Sequence, residues 1–253
     1  MTANTSKGIT YPENTDNTRL WELMQTLAET ADDIIIGNVD RQVFTASGTW
    51  TRPANALLVR VQVQAGGGGS GGVAATTGTQ AACAPGGGGG EYAEGWLTPS
   101  AAGASQAVTV GAGGNGGTAG ANAGSSGGDS SFGTLITAKG GDGSSGGTAT
   151  SSSATIGGTT GGTGGTGGDW RIPGGDGGNG QVITAVPVKF NNGGSSYLSN
   201  SRRATGVTAG TTSGFTGNNY GGGASGPSNG ATQSAVAGSP GAPGIVIVTT
   251  YTA

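Results

Sequence analysis

The chain contains no histidine. That removes the histidine general base, the Ser-His-Asp triad and every His-ligated metal site. Cysteine occurs once, at Cys83, so the chain can close no disulfide on itself and build no cysteine metal cluster. The residue reads as a small packed side chain. Charge is scarce as well: charged residues make up 9% of the 253 positions and the net charge is −3, which leaves no basic patch for nucleic acid. Hydrophobic residues reach 32% and aromatics 5%, thin for an ordinary core. No apolar run approaches the ~20 residues of a membrane span, and residues 1–7 lack the apolar centre of a signal peptide. The expectation is a protein made in a cytoplasm, with no nucleic-acid partner, no membrane insertion and no cofactor.

What is abundant is glycine, 59 residues, many at every third position. Gly161-Gly162-Thr163-Gly164-Gly165-Thr166-Gly167-Gly168 is the plainest run, and Gly174-Gly175-Asp176-Gly177-Gly178-Asn179-Gly180 repeats the rhythm. A period of three is neither helical nor a strand alternation. It matches polyproline II, an extended left-handed helix with three residues per turn and no internal hydrogen bonds. Its N–H and C=O groups must find partners on another chain segment, and faces left bare by glycine let that segment come close. The tracts 111–128, 140–147, 157–168, 174–180 and 221–244 are the candidates. Their threonines and polar residues, such as Thr159, Thr163, Thr166, Asp176 and Asn179, are expected to face outward. A disordered polymer is the competing reading of this composition, but scarce charge and recognisable strands speak against it. Collagen would need one-third glycine and more than nine prolines.

Composition changes near residue 40. Residues 1–14 read as an extended arm, with Pro12 barring a helix. Leu20, Trp21, Leu23, Met24, Leu27, Ala31, Ile34 and Ile35 then recur at helical spacing, with Asp16 or Asn17 as cap and Gly37 as stop. This short N-terminal α-helix has little nearby apolar surface to cover, so Leu20, Trp21, Leu23, Met24, Leu27, Ile34 and Ile35 are assigned to self-association or attachment to a larger assembly. Packing on its own body is the alternative. Short strands are predicted beyond it, at 42–46, 57–64, 92–98, 106–110, 134–138, 181–188 and 245–251. Ile245-Val246-Ile247-Val248, apolar on both faces, is placed centrally in a sheet or between a sheet and another subunit.

Familiar chemistry is missing. Gly111-Ala112-Gly113-Gly114-Asn115-Gly116 fits G-x-G-x-x-G, but such a match is expected by chance here and no helix follows it. Asp129, Asp142, Asp169 and Asp176 fit no calcium spacing and read as turn residues.

Phe44-Thr45-Ala46-Ser47-Gly48-Thr49-Trp50-Thr51-Arg52-Pro53, then Leu57 to Gly69, resembles the opening of the glycine-rich domain of phage tail fibres. Gly86 to Gly95, Val108 to Gly114, Ser131-Phe132-Gly133 and Gly241 to Val248 are similar to its later blocks. The leader Gly8-Ile9-Thr10-Tyr11-Pro12, with Asp16 to Trp21, resembles the start of virion proteins from phages of Actinobacteria. The resemblance implies a virion protein, a tail fibre or minor tail protein, often trimeric and in contact with the host surface. It carries no catalytic motif.

The expected architecture is mainly β with polyglycine or polyproline II-type helices, a short N-terminal α-helix and a trimeric, fibre-like assembly. Residues 1–40 form the attachment or oligomerisation segment and residues 41–253 the glycine-rich domain. The expected function is structural and non-catalytic. Other virion proteins are contacted through residues 1–40, and a host glycan or protein is held by side chains on loops. Trp170, Arg171, Tyr197, Arg202, Arg203, Phe215, Asn218, Asn219 and Tyr220 are the receptor-binding candidates, because aromatics stack on sugar faces while arginine and asparagine give directed hydrogen bonds. A purely architectural capsid decoration or head fibre, and an ice-binding glycine-helix protein, are the alternative functions.

Overall fold

A computed structural model describes residues 2–4, 10–12, 38–188, 190–205 and 209–252. The N-terminal helix and its seven assigned attachment residues lie outside these. Two short strands near the start, β1 (Thr2–Asn4) and β2 (Thr10–Pro12), pair antiparallel.

The body is mainly β, in several antiparallel sheets. Its largest sheet contains β3 (Asn38–Phe44), β5 (Ala56–Gln64), β7 (Tyr92–Leu97), β13 (Trp170–Ile172) and β18 (Ile245–Thr252), in the order β13-β7-β5-β18-β3. A second five-stranded sheet contains β4 (Gly48–Thr51), β8 (Ser105–Thr109), β9 (Ser130–Phe132), β10 (Ile136–Ala138) and β12 (Thr166–Gly167), in the order β12-β10-β9-β8-β4. Alternation on β5 turns Val59, Val61 and Val63 inward. They meet Val246 and Val248 of β18, Ala93 of β7, and Trp50, Val108, Phe132, Ile136 and Ala138 of the second sheet in one buried cluster. Trp50 meets Phe132 edge-on, with centroids 5.2 Å apart. The helical turn α1 (Pro99–Ala102), capped by the Thr98 hydroxyl, adds Ala102 to this core.

The β18 strand lies inside its sheet, between β5 and β3, as its apolar run predicts. Three predictions shift. The first strand begins at Asn38, ahead of the composition break. The short, polar or glycine-flanked strands β4, β9, β12 and β13 carry too little pattern to be read. The predicted strand 181–188 is a hairpin of β14 (Gly180–Ile183) and β15 (Val186–Val188), turning at Thr184 and Ala185 with φ of 47° and 59°. Neither turn residue is glycine or asparagine, so the usual signal for such a turn is missing. The β15 strand ends the three-stranded sheet β11-β14-β15, with β11 spanning Ala154–Ile156. The last sheet joins β16 (Thr211–Thr212), β17 (Ser228–Asn229) and β6 (Ala82–Cys83).

The two large sheets set up the glycine region. Register places Gln64, Tyr92 and Ile245 side by side, and Ala138 beside Ser130, with Ser131 paired to Thr109. The strands therefore run out into the glycine tracts 65–74, 84–91, 111–128, 139–147 and 236–244 from these shared edges. Within the tracts hydrogen bonding repeats every three residues. Gly66, Gly69 and Gly72 donate to the carbonyls of Gly128, Ser125 and Asn122 at 3.0, 3.0 and 2.8 Å. Gly67, Ser70 and Val73 donate to Ala242, Ser239 and Val236 at 2.9, 2.9 and 2.8 Å. Gly68 and Ala74 use a third direction, toward Gly88 and Gly147. Gly71, between them, donates to the Ser144 hydroxyl at 2.8 Å, and that hydroxyl donates to Pro85 O at 2.7 Å. The second interior tract behaves alike: Gly86 and Gly89 reach Gly178 and Gly175, Gly87 and Gly90 reach Ala224 and Gly221, and Gly88 and Glu91 reach Asp142 and Lys139. Burial follows the same period in outer tracts. Positions 111, 114 and 117 are buried while 112, 115 and 118 are exposed, and 141, 144 and 147 are buried while 142, 145 and 148 are exposed. Thr163, Thr166, Asp176 and Asn179 face solvent and Thr159 is half-buried.

At many of the interior glycines there is no space for a side chain. A Cβ on Gly68 would collide with the main chain at Asp142, and one on Gly87 with the main chain at Gly68. At Gly157 nothing lies within 4 Å of the same position. Backbone atoms cannot step aside as a flexible side chain can, so Gly68→Ala is expected to cost about 3 kcal/mol or more, at the upper end of overpacking effects. Gly157→Ala is expected to stay within about 0.5 kcal/mol of the wild type. Chemical denaturation of the two variants checks the contrast.

Candidate functional site

The outward face of the largest sheet carries the densest side-chain chemistry among the described residues. Alternation on β5 that sends valines inward sends Arg60, Gln62 and Gln64 the other way, opposite Trp96, Glu94 and Tyr92 on β7. Arg60 grips Glu94 with two hydrogen bonds, Nε to Oε1 at 2.7 Å and Nη2 to Oε2 at 3.1 Å. The Tyr92 hydroxyl donates to Glu94 Oε2 at 2.6 Å and accepts from Gln62 Nε2 at 2.7 Å. Burial pushes the Glu94 carboxyl up, but donation from Arg60 and Tyr92 outweighs it and holds the group below the usual carboxylate range. Burial, reinforced by donation to Glu94, pushes the Tyr92 phenol well above its ordinary value. The Arg60 guanidinium is raised by its bond to Glu94 and lies 5.4 Å from the centre of the Trp96 ring. Trp96 stacks on Tyr251 of β18 at 6.0 Å and is 43% exposed.

This network floors the first group of predicted residues. Trp170 lies opposite Glu94 on β13, and its ring centre is 5.5 Å from that of Tyr92. Tyr197 comes in from the segment 190–205 and lies 4.2 Å from Tyr92 and 5.9 Å from Trp170. Trp170 and Tyr197 remain 41% and 50% exposed over the buried Tyr92. Arg171 does not join them. Its Nη1 donates to Gly167 O at 2.6 Å and its Nε is 3.6 Å from the buried Glu91, a carboxylate that also accepts from the amides of Lys139 and Gly165.

The second group assembles on the bundle. The Arg202 and Arg203 guanidinium carbons lie 5.3 and 4.6 Å from the centre of the Phe215 ring. Arg202 Nη1 donates to Asn218 Oδ1 at 2.8 Å, and Asn218 Nδ2 donates to Asn200 O at 3.1 Å. Asn219 is exposed, Tyr220 is half-buried, and the Tyr220 carbonyl accepts from the Ser196 hydroxyl. The segment 190–205 thus carries Tyr197 of the first group and Arg202 and Arg203 of the second.

Tyr92, Trp96, Tyr251, Arg60 and Glu94 were not among the sequence candidates. The alternation Arg60-Gln62-Gln64 and Tyr92-Glu94-Trp96 was legible, but which strand lay beside which was not. The aspartates are tied to the chain: Asp169 accepts from Trp96 N at 2.7 Å, Asp176 from Gly161 N at 2.9 Å, and Asp142 from Thr160 Oγ1 at 2.6 Å. An open groove lined by Ser126, Asp129, Lys139, Asp142 and Thr160 contains the exposed Asp129–Lys139 pair, 2.7 Å apart. Among the described residues no group of three His, Cys, Asp or Glu could hold a metal, and no helix is long and apolar enough to cross a membrane. Cys83 is buried beside Ser228 Oγ at 3.3 Å, and burial raises its thiol.

A carboxyl held low in the folded state stabilises above its unfolded pKa, and that stabilisation is lost as pH falls through the folded value. Glu94→Gln is therefore expected to cost about 1–3 kcal/mol at neutral pH, by leaving Arg60 without its carboxylate. The gap from the wild type is expected to close as the solution is acidified below the ordinary carboxylate range. Urea midpoints of both proteins between neutral and acid pH read this directly.

A family model described as a glycine-rich domain matches residues 43–251. Comparison with curated proteins finds no match. The matched span takes in the second large sheet, all of the largest sheet but most of β3 and the last residue of β18, and every glycine tract between them, and the chain belongs to the glycine-rich domain family.

Proposed function

We propose that this protein is a non-catalytic structural component of a phage particle, a tail fibre or minor tail protein, whose glycine-rich body holds carbohydrate of the host surface. Residues 1–40 attach it to other virion proteins or bring three copies together. The glycine tracts are polyglycine II helices: the three-residue period in hydrogen-bond direction and in burial is what that helix requires. Bundled in this way they make a stiff support that presents little chemistry of its own. Adhesion falls to the side chains at its margin.

The observation that carries the adhesive part is the exposed pair Trp170 and Tyr197, held against buried Tyr92 and its bond to Glu94. Half-exposed rings fixed by a floor lose little freedom on binding and offer flat apolar faces beside polar groups. The resemblance of the opening and closing blocks to phage fibre domains supports the setting.

Purified protein pulled down on host cell walls is the test. Binding is expected, and Trp170→Ala is expected to weaken it at least tenfold, as loss of a central aromatic anchor does. No binding at any concentration would leave a purely architectural role. Equal binding by Trp170→Ala would move the adhesive surface elsewhere. Mass measurement of the intact protein decides between a trimer and other states.

A further inference from the structure

We infer that Arg202 and Arg203, seated on Phe215, form a site for an oxyanion carried on a polymer, a phosphodiester or a carboxylate. The anion site itself stands on the arginine geometry. That the polymer belongs to a cell surface rests on the adhesive reading above.

The platform is fixed before any ligand arrives. Phe215 is stitched to the bundle through Ser225: its amide donates to the Ser225 hydroxyl at 3.0 Å, and its carbonyl accepts from the Ser225 amide at 3.0 Å. The arginine segment is stitched to the same bundle, with Gly194 N donating to Gly87 O at 2.9 Å and Gly223 N to Gly194 O at 2.9 Å, and is closed on itself by Gly193 N donating to Arg202 O at 2.9 Å. Consecutive side chains on an extended chain ordinarily diverge, yet both guanidinium groups come to one ring. Contact with an aromatic face orients a guanidinium and leaves its N–H groups for an acceptor.

Those donors are largely unused. The buried Arg202 Nε has no hydrogen-bond partner. Arg203 is exposed, and among the described residues no acid lies within ion-pair distance of either arginine. Arg60, Lys139 and Arg171 each have a carboxylate at 2.7, 2.7 and 3.6 Å. Asn218, itself anchored on Asn200 O, holds Nη1 of Arg202 and so fixes the rest of that fork. Two guanidinium groups over one ring, with the exposed Arg203 fork making no hydrogen bond among the described residues, suit a group with several oxygens and a negative charge. A neutral sugar would leave the charge unanswered. Tyr197 lies five residues from Arg202, so a chain crossing both patches spans at most about 18 Å between their backbones.

The test is titration of the full-length protein with polyphosphate, polygalacturonate and neutral dextran of matched length. At least one anionic polymer is expected to bind tighter than dextran, with affinity falling as salt rises. Preference between the two identifies phosphate or carboxylate as the oxyanion. Arg202→Gln/Arg203→Gln is expected to lose at least tenfold in that affinity. Arg203→Lys, keeping charge without the fork, is expected to fall between. Arg203→Gln alone changes an exposed side chain and serves if the double variant does not fold. Polymer binding no tighter than dextran, or unchanged in the glutamine variants, would overturn the site. Cell-wall binding that depends on Trp170 while the arginine variants bind polymer like wild type would sink this inference and leave the adhesive reading intact. Polymer binding through the arginines without cell-wall binding would do the reverse.

Discussion

Main-chain hydrogen bonds between tracts that have no side chains in the way are the interaction on which this architecture depends. Each is worth only about 0.5–1.5 kcal/mol net, and glycine loses more backbone freedom on ordering than any other residue. A single tract would not hold itself. Interior tracts succeed because successive amides address different neighbours: Gly66 to Gly128, Gly67 to Ala242, Gly68 to Gly88. Every residue fixed in one tract helps fix others, so the order is collective. The two-sheet core supplies the starting alignment. Gln64, Tyr92 and Ile245 are in register before the tracts 65–74, 84–91 and 236–244 leave them, and much of the ordering cost is thereby met by a conventional apolar cluster around Trp50, Phe132 and the valines.

The small polar residues of the interior fit the same logic. A serine can stand where the neighbour is one atom layer farther away and replace a direct amide–carbonyl bond by a relay, as Ser144 does between Gly71 N and Pro85 O. Asn191 does the equivalent for a loop: its side chain donates to Thr205, Gly226 O and Ser228 and accepts from the Thr205 amide. Such residues look like low-complexity filler in a glycine-rich sequence, yet they are buried and fully engaged. Composition cannot distinguish a serine that seals an interior from one that faces water, because the difference is set by which tract lies opposite.

The same limit explains what could and could not be read from the residues. The period of three, the valine alternation at 57–64 and the doubly apolar run at 245–248 are local patterns, and each corresponds to an observed tract or strand. Strands of two to four residues such as Trp170–Ile172 carry no period, and their place is decided by a partner far away in sequence, here Tyr92–Glu94. The candidate surface divides along the same line. Trp170, Tyr197, Arg202, Arg203, Phe215 and Asn218 could be picked for their chemistry. Their sorting into an aromatic group and an arginine group, the withdrawal of Arg171 toward Glu91, and the recruitment of Arg60, Tyr92, Glu94 and Trp96 all follow from long-range pairing.

This division has a consequence for where chemistry can reside at all. At interior glycines such as Gly68 and Gly87 a side chain would meet another backbone, and the few interior side chains, such as Ser70 and Ser144, are buried against neighbouring tracts, so no ligand reaches a group there without parting the tracts. Outward positions of the outer tracts admit threonine, aspartate and asparagine, and where they meet, as Thr160 and Asp142 do, they bond to one another. The candidate aromatic and arginine groups arise where the chain leaves the tracts: at the outer face of the large sheet, and in the segments 190–205 and 211–220, which are held to the tracts by main-chain bonds such as Gly194 N to Gly87 O and Gly217 N to Pro240 O. There a side chain has solvent on one side and a rigid floor on the other. The trade is physical: the uniformity that lets the main chains join removes the variety that recognition needs, so support and recognition are forced onto different parts of one chain.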